Sequence, residues 1–432
     1  MKNSKLFQYV VFGAFIFFII VGAILFATYR SSTSTETSIS ISLWGTLSAD
    51  DFSSFFSRYF GESNLKYTID YTEKSPASFD SDLIEVLASG IGPDAIILPT
   101  DLIVRYRNKI YPIPYTVLPE LTFKDTFIQA GELYLDKTGV LALPFSVDPL
   151  VMYWNRDIFN NAGLTKVPST WIEVSDLIPK LTQKDEASNI LRSTVALGEF
   201  RNVRDAKDIL SALFIQAGNP IVSFSSDGSF ESTLKDDFNS GTSPAVLALQ
   251  FFTNFSNPVK PNYSWNRSLP NSLDVFANGD LAMYFGLASE FTAVKNKNPN
   301  LNFAVALLPQ GSGNKIVYST TGDLLGLAIL KNSANPAGTY TVLNALTSAS
   351  AFPYWKDIFN VSSARRDILA QTESSAVKTI FNKSAIMSKA WYDPNRTQSN
   401  AIFQEMVESY TTGRSSLEGA VNTASDRLDS LL

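Results

Sequence analysis

The run Leu143–Val174, LPFSVDPLVMYWNRDIFNNAGLTKVPSTWIEV, constrains the chain most. Phe145 to Trp154 is rich in Val, Met and aromatic residues and reads as an extended strand carrying one acid, Asp148, near its start. Asn155-Arg156-Asp157 then opens a helix with a carboxylate in its first turn, where the macrodipole favours one. Gly163, free to turn left-handed, closes it. Ser169 or Thr170 can cap the following helix, with Glu173 placed for a capping-box start.

At 432 residues the chain is too long for one ordinary core, so two lobes are expected. The balance of 45% hydrophobic and 18% charged residues fits a folded protein. A net charge of −6 without a basic block excludes a nucleic-acid partner, which would need clustered Lys and Arg. There is no Cys and no His, which excludes thiol catalysis, Ser-His-Asp triads, His or Cys zinc sites, disulfides and a lipid-modified N-terminal Cys. No cofactor or metal is expected.

Leu6 to Tyr29 is almost wholly apolar and uncharged, longer than the ~20 residues that cross a bilayer as a helix. Lys2 and Lys5 precede it and Arg30 follows, which orients the N-terminus inward and the main chain outward. The expectation is a single-pass anchor over 6–29 in the cell membrane, with a Ser/Thr-rich tether over 30–38. The alternative is a cleaved signal peptide. Its apolar region usually runs ~7–15 residues, and Leu25-Phe26-Ala27 makes a poor cleavage site.

Beyond the tether, Ile39–Gly45 alternates as a strand, Asp50 to Phe60 has helical aromatic spacing, and Leu65–Tyr71 alternates again. This β-α-β opening signals a sheet covered by helices. Ala95–Leu98 is a short buried strand, with Thr100 and Asp101 at its carboxyl end, where open α/β sheets take ligands. Asp101 could equally cap a helix beginning at Leu102. Helices are expected near Leu121–Leu135, Ala206–Gln216, Ser243–Phe255, Asn400–Thr411 and Ser416–Leu431. A lone Asp148 in an apolar strand either faces a solvated cleft or pairs with a Lys or Arg.

Several ordered motifs resemble the family-1 extracellular solute-binding proteins, the maltose-binding type that serves ABC importers. They are Pro144, Asp148, Tyr153-Trp154-Asn155-Arg156-Asp157, Ala162-Gly163-Leu164 and Pro168-Ser169-Thr170-Trp171. The segments Ser89 to Asp101, Phe276 to Gly286, Phe303 to Pro309 and Ser333 to Leu346 continue the match. The resemblance implies an α/β, two-lobed periplasmic-binding-protein fold of type II with interlobe hinge strands. The lobes would be 39–146 plus 309–352, and 147–308 plus 353–432. It further implies capture of a solute, sugar or oligosaccharide favoured, in an interlobe cleft for delivery to an ABC permease by a monomer.

By the same resemblance the ligand contacts would include Thr100, Asp101, Asp148, and Ser289 or Glu290, where many members place a Trp that this chain lacks. Asp323 would lie on the cleft floor, and Trp44, Trp265 and Trp391 are candidate stacking rings, with core packing as their alternative. An acidic cleft would also suit a cation such as a polyamine. Two rival functions remain: a sensor or scaffold on the same fold, and a glycosidase using Asp101 and Asp148 as its acid pair.

Overall fold

In the computed structural model, which describes residues 13, 16–21, 39–61, 67–225, 227–312, 318–356, 358–359 and 361–432, one long strand joins two half-sheets. The principal strands are β1 (Ile39–Gly45), β2 (Tyr67–Glu73), β3 (Ala95–Pro99), β4 (Leu143–Asn155), β5 (Gln183–Lys184), β6 (Ile190–Val195), β7 (Leu281–Leu287), β8 (Phe303–Ala306), β9 (Thr320–Ile329) and β10 (Ser388–Lys389). The principal helices are α1 (Ala49–Gly61), α2 (Phe79–Ala88), α3 (Trp171–Leu181), α4 (Ala206–Gln216), α5 (Ser272–Asn278), α6 (Glu290–Lys297), α7 (Pro336–Leu346), α8 (Ala376–Met387), α9 (Arg396–Thr411) and α10 (Leu417–Asp429).

The sheet runs β2-β1-β3-β9-β4-β7-β6-β5. β1 lies parallel to β2 and β3, whereas β9 runs antiparallel to both β3 and β4. The first half of β4, through Pro149, pairs with β9; the second half, from Leu150, pairs with β7 and β8. Its near-continuous apolar sequence follows from this, because neighbours cover it along its whole length.

Two hydrophobic clusters flank the change of partner within β4. One draws on residues from Ile41 to Val147, then Leu324 to Leu369, and Ala385. The other takes Leu150 to Leu308 and Trp391 to Leu428. The chain therefore passes between two lobes along β4, along the approach to β9, and again from α8 into β10, which pairs with Thr320 and Thr321 of β9. The first lobe's cluster continues past the boundary expected at 352, because Ser362 and Ser363 pair with Val147 and Ser146 of β4.

Local signals act as the sequence suggests. Asn155 Oδ1 accepts from the backbone N–H of Asp157 at 2.9 Å and of Ile158 at 3.1 Å, opening the short helix after β4. Thr170 and Glu173 form a reciprocal capping box on α3, whose Trp171, Val174, Ile178 and Leu181 are buried. Each such apolar side chain contributes ~1.5–3 kcal/mol on leaving water. Gly279 closes α5 at φ 91°, a conformation that a side chain would strain.

Other local readings differ. The helix expected over Leu121–Leu135 is broken at Phe127, where the chain extends to bridge Arg365 and the N–H of Ile128 donates to the Ala364 carbonyl. Asp101 caps no helix; it lies inside a single 3₁₀ turn, Thr100–Leu102, preceded by Pro99.

The tether expected at 30–38, and residues 6–12, 14–15 and 22–29 of the expected anchor, lie outside the described residues. Among the described residues no helix is long and apolar enough to cross a membrane.

Candidate binding cleft

The site forms where β3, β9, α4 and α9 bring their ends together. Arg396 is its centre. It is the first residue of α9, whose start is fixed by Asn395 accepting from the backbone of Gln398. Its guanidinium grips Asp323 of β9 with two hydrogen bonds, Nη1 to Oδ2 at 2.9 Å and Nη2 to Oδ1 at 2.5 Å. Nε lies 3.9 Å from Asp101 Oδ2 at the end of β3. Burial alone would weaken the hold of Arg396 on its proton, but Asp323, Asp101 and Asp208 outweigh it and the guanidinium stays charged.

Open space adjoins this arginine. A cavity of about 510 Å³ is bounded by Thr46, Asp101, Asp323, Asn395 and Arg396. A second, of about 700 Å³, is bounded by Asp205, Asp208, Asn400 and Gln404 and shares Arg396 and Thr397 with the first. The first draws on both lobes; the second is lined by the second lobe alone.

Lys207, beside Asp208 on α4, is buried and pairs with Asp393 at 2.5 Å. Ser399 Oγ accepts from Lys207 at 3.1 Å and donates to Asp393 at 3.0 Å. This triad pins the start of α4, with Asp208, to the start of α9, with Arg396. Burial, then the charge of Asp323, pushes the Asp208 carboxyl up to about 6.

The hinge adds a second polar group. Asp148 lies across from Asp323 in the β4–β9 register and accepts from the Ser289 N–H at 2.9 Å. Burial pushes its carboxyl up to about 7; the Ser289 contacts oppose the rise, and Asp323 and Glu290 add to it. Glu290 is buried, ion-paired with Arg204, and accepts from the Tyr284 hydroxyl. Asp205 precedes α4 in a left-handed conformation, and its buried Oδ2 has no hydrogen-bond partner among the described residues. Burial and the neighbouring Glu290 and Asp208 push Asp205 up to about 9.

The sequence candidates divide accordingly. Asp101 and Asp323 meet at Arg396, and Thr100 is buried beside them at the end of β3. Asp148, Ser289 and Glu290 form the hinge group. Trp44 is half-buried against the first lobe's core, with Lys74 Nζ 3.9 Å over its ring. Trp265 has no exposed surface; it sits in the second lobe's core with Nε1 donating to Asn202 Oδ1 at 3.1 Å. The expectation that Trp265 stacks on a ligand is therefore corrected, since neither ring face is open. Trp391 is 8% exposed and stacks on Phe403 at 5.9 Å, so its packing is also that of a core residue.

Sequence reasoning passed over Arg396, Lys207, Asp205 and Asp208. All lie at or beside helix starts, ordinary places for charge. Their partners are far along the chain: Asp323 is 73 residues from Arg396, and Asp393 is 186 residues from Lys207. The dense alternation Arg201, Arg204, Asp205, Lys207, Asp208 was the one local signal.

The lobes also touch directly at a second place. Arg107 of the first lobe, ion-paired with Asp136, lies 4.2 Å over the ring of Phe224 in the second lobe's hairpin Val222–Phe224/Phe230–Ser232.

A family model described as bacterial extracellular solute-binding protein matches residues 48–351. The sn-glycerol-3-phosphate-binding periplasmic protein UgpB of Escherichia coli K12 is 22% identical over 317 residues, 68% of each chain. Among solved structures, a cyclo/maltodextrin-binding protein complexed with maltotetraose superposes at a TM-score of 0.71 with 14% identity, covering 91% of this chain and 97% of that one. The sugar-binding protein MalE of Xanthomonas citri reaches a TM-score of 0.73 at 17% identity, again over 91% and 97%. A mannotriose-bound protein gives 0.65 at 19%, over 90% and 100%. The single-pass membrane location expected from the N-terminal run is corrected: the curated relatives are periplasmic binding proteins by name.

Proposed function

Since the chain belongs to the bacterial extracellular solute-binding protein family, we propose that it captures a neutral, hydroxyl-rich solute, a sugar or short oligosaccharide, between its lobes and delivers it to an ABC permease. The arrangement of carboxylates around Arg396 carries this reading. Asp101, Asp205, Asp208 and Asp323 border the two cavities, with Asn395, Asn400 and Gln404 beside them. Carboxylates accept from sugar hydroxyls, and amides both donate and accept. The contacts we assign are Asp101, Asp323, Asp208 and Arg396, with Thr100 beside them; Asp148, Ser289 and Glu290 set the hinge that carries closure.

The same inventory disfavours a phosphate ester. Arg396 and Lys207 are already committed to Asp323 and Asp393, and the acids at the cavity walls would repel a dianion. A cationic solute is the second reading, favoured by that acid excess. A thermal-shift panel of glycerol 3-phosphate, mono- and oligosaccharides, and polyamines tests all three. Solute at a hundred times its Kd stabilises by ~2.7 kcal/mol. A shift with a saccharide, lost in Asp323→Asn, supports the proposal. A shift with polyamines alone moves the class to cations, and one with glycerol 3-phosphate alone overturns the charge argument.

A further inference from the structure

A third cavity, of about 320 Å³, shares no lining residue with those around Arg396. It lies among α6 of the second lobe, the short helix Phe352–Trp355 of the first, and α8, which packs against both cores. One part of its wall is apolar: Phe291, Phe352, Val361, Val377 and Phe381 line it, with the Phe291 and Phe381 rings edge to face at 6.1 Å. Its polar edge is basic, with Lys295, Lys356 and Lys378 set against a single described carboxylate, Glu373. Lys295 and Lys356 make no ion pair among the described residues. A cavity of this size, within the ~300–1,000 Å³ range of small-ligand sites, with an apolar wall of three Phe rings and positive charge at one edge, has the chemistry of an amphiphile's binding site.

We propose that this cavity binds a small amphiphile with an apolar body and an anionic end, separately from the solute cleft. The tail lies against the three Phe rings and the anion meets the lysine edge, charge-assisted by Lys295 and Lys356. The site adjoins the hinge through one helix. At the start of α6 the Ser289 N–H holds Asp148 and Glu290 holds Arg204, while the next residue, Phe291, faces the chamber. The cavity takes its walls from both lobes.

The test is calorimetric titration of the full chain with octanoate, with octyltrimethylammonium as the charge control. The expected result is saturable binding of octanoate but not of the cation. Lys295→Glu combined with Lys356→Glu, both outside the cores, should weaken octanoate at least tenfold. Arg396→Gln, which disturbs only the solute cleft, should leave it unchanged. Absence of saturable octanoate binding, equal binding of the two amphiphiles, or insensitivity to the lysine pair would each overturn the proposal. Loss of octanoate binding in Arg396→Gln would place the ligand in the solute cleft and overturn it too, without touching the solute reading.

Discussion

Replacing Lys207 by Met tests whether the buried triad organises the cleft. Lys207 and Asp393 are each 8% exposed at the side chain and pair at 2.5 Å. Methionine keeps the length and volume but leaves Asp393 buried with only the Ser399 hydroxyl and the Asn395 N–H as donors. Breaking one side of a buried pair typically costs ~3–5 kcal/mol, because the surviving charge has lost its compensation. At about 2 °C per kcal/mol for a lobe of this size, the melting temperature falls by about 6–10 °C. Lys207→Met with Asp393→Leu removes both charges and recovers most of that loss, since an apolar pair in place of a buried ion pair is often neutral. Calorimetric melting and urea titration of the single and double variants measure the terms. The solute should also bind more weakly to the single variant, because Asp208 and Arg396 are held in register by this pair. A loss below ~1 kcal/mol in Lys207→Met, or a double variant no better than the single, would refute the reasoning.

Three further outcomes are expected. Asp148 has a folded-state value raised to about 7, so the native state holds its proton more tightly than the unfolded chain; stability from this group is full in acid and is lost as pH rises toward and through 7. Melting across pH 5–8 should therefore fall more steeply in the wild type than in Asp148→Asn, which still accepts from Ser289; parallel profiles would count against it. Trp265→Ala should cost ~3–5 kcal/mol while leaving solute affinity of the folded protein unchanged, and a selective loss of affinity would restore a ligand role to that ring. Arg107→Ala removes the stacking contact between the lobes, worth ~0.5–2 kcal/mol, and should weaken solute binding by that amount while raising the radius of gyration of the liganded protein in small-angle scattering.

The elements that could be read from sequence are those whose determinants are local. The capping box at Thr170 and Glu173, the Asn155 cap, and the apolar run of β4 all form from residues within a few positions of one another. The break at Phe127 was not legible, because it exists to reach Ala364 and Arg365, far along the chain. The cleft follows the same division. Asp101 and Asp323 could be suspected from their places at strand ends, but Arg396 becomes a site residue only when α9 meets β9. Trp265 failed as a candidate for a related reason: its loop sequence is polar, yet the ring turns inward to Asn202, a partner that no local pattern announces.

The position of β9 in the sheet has a consequence for biosynthesis. This strand lies between β3 and β4, so the first lobe's sheet cannot be completed until residues 320–329 are available. The first and larger part of the second lobe, through Leu308, is made in the interval after β4. At ~5–20 residues per second, that delay is about 8–35 s. Throughout it, the inner edges of β3 and β4 lack their shared neighbour. The nascent chain thus stays unfinished for most of its synthesis, open to any factor that binds extended apolar segments, and the first lobe closes only after the larger part of the second has been made.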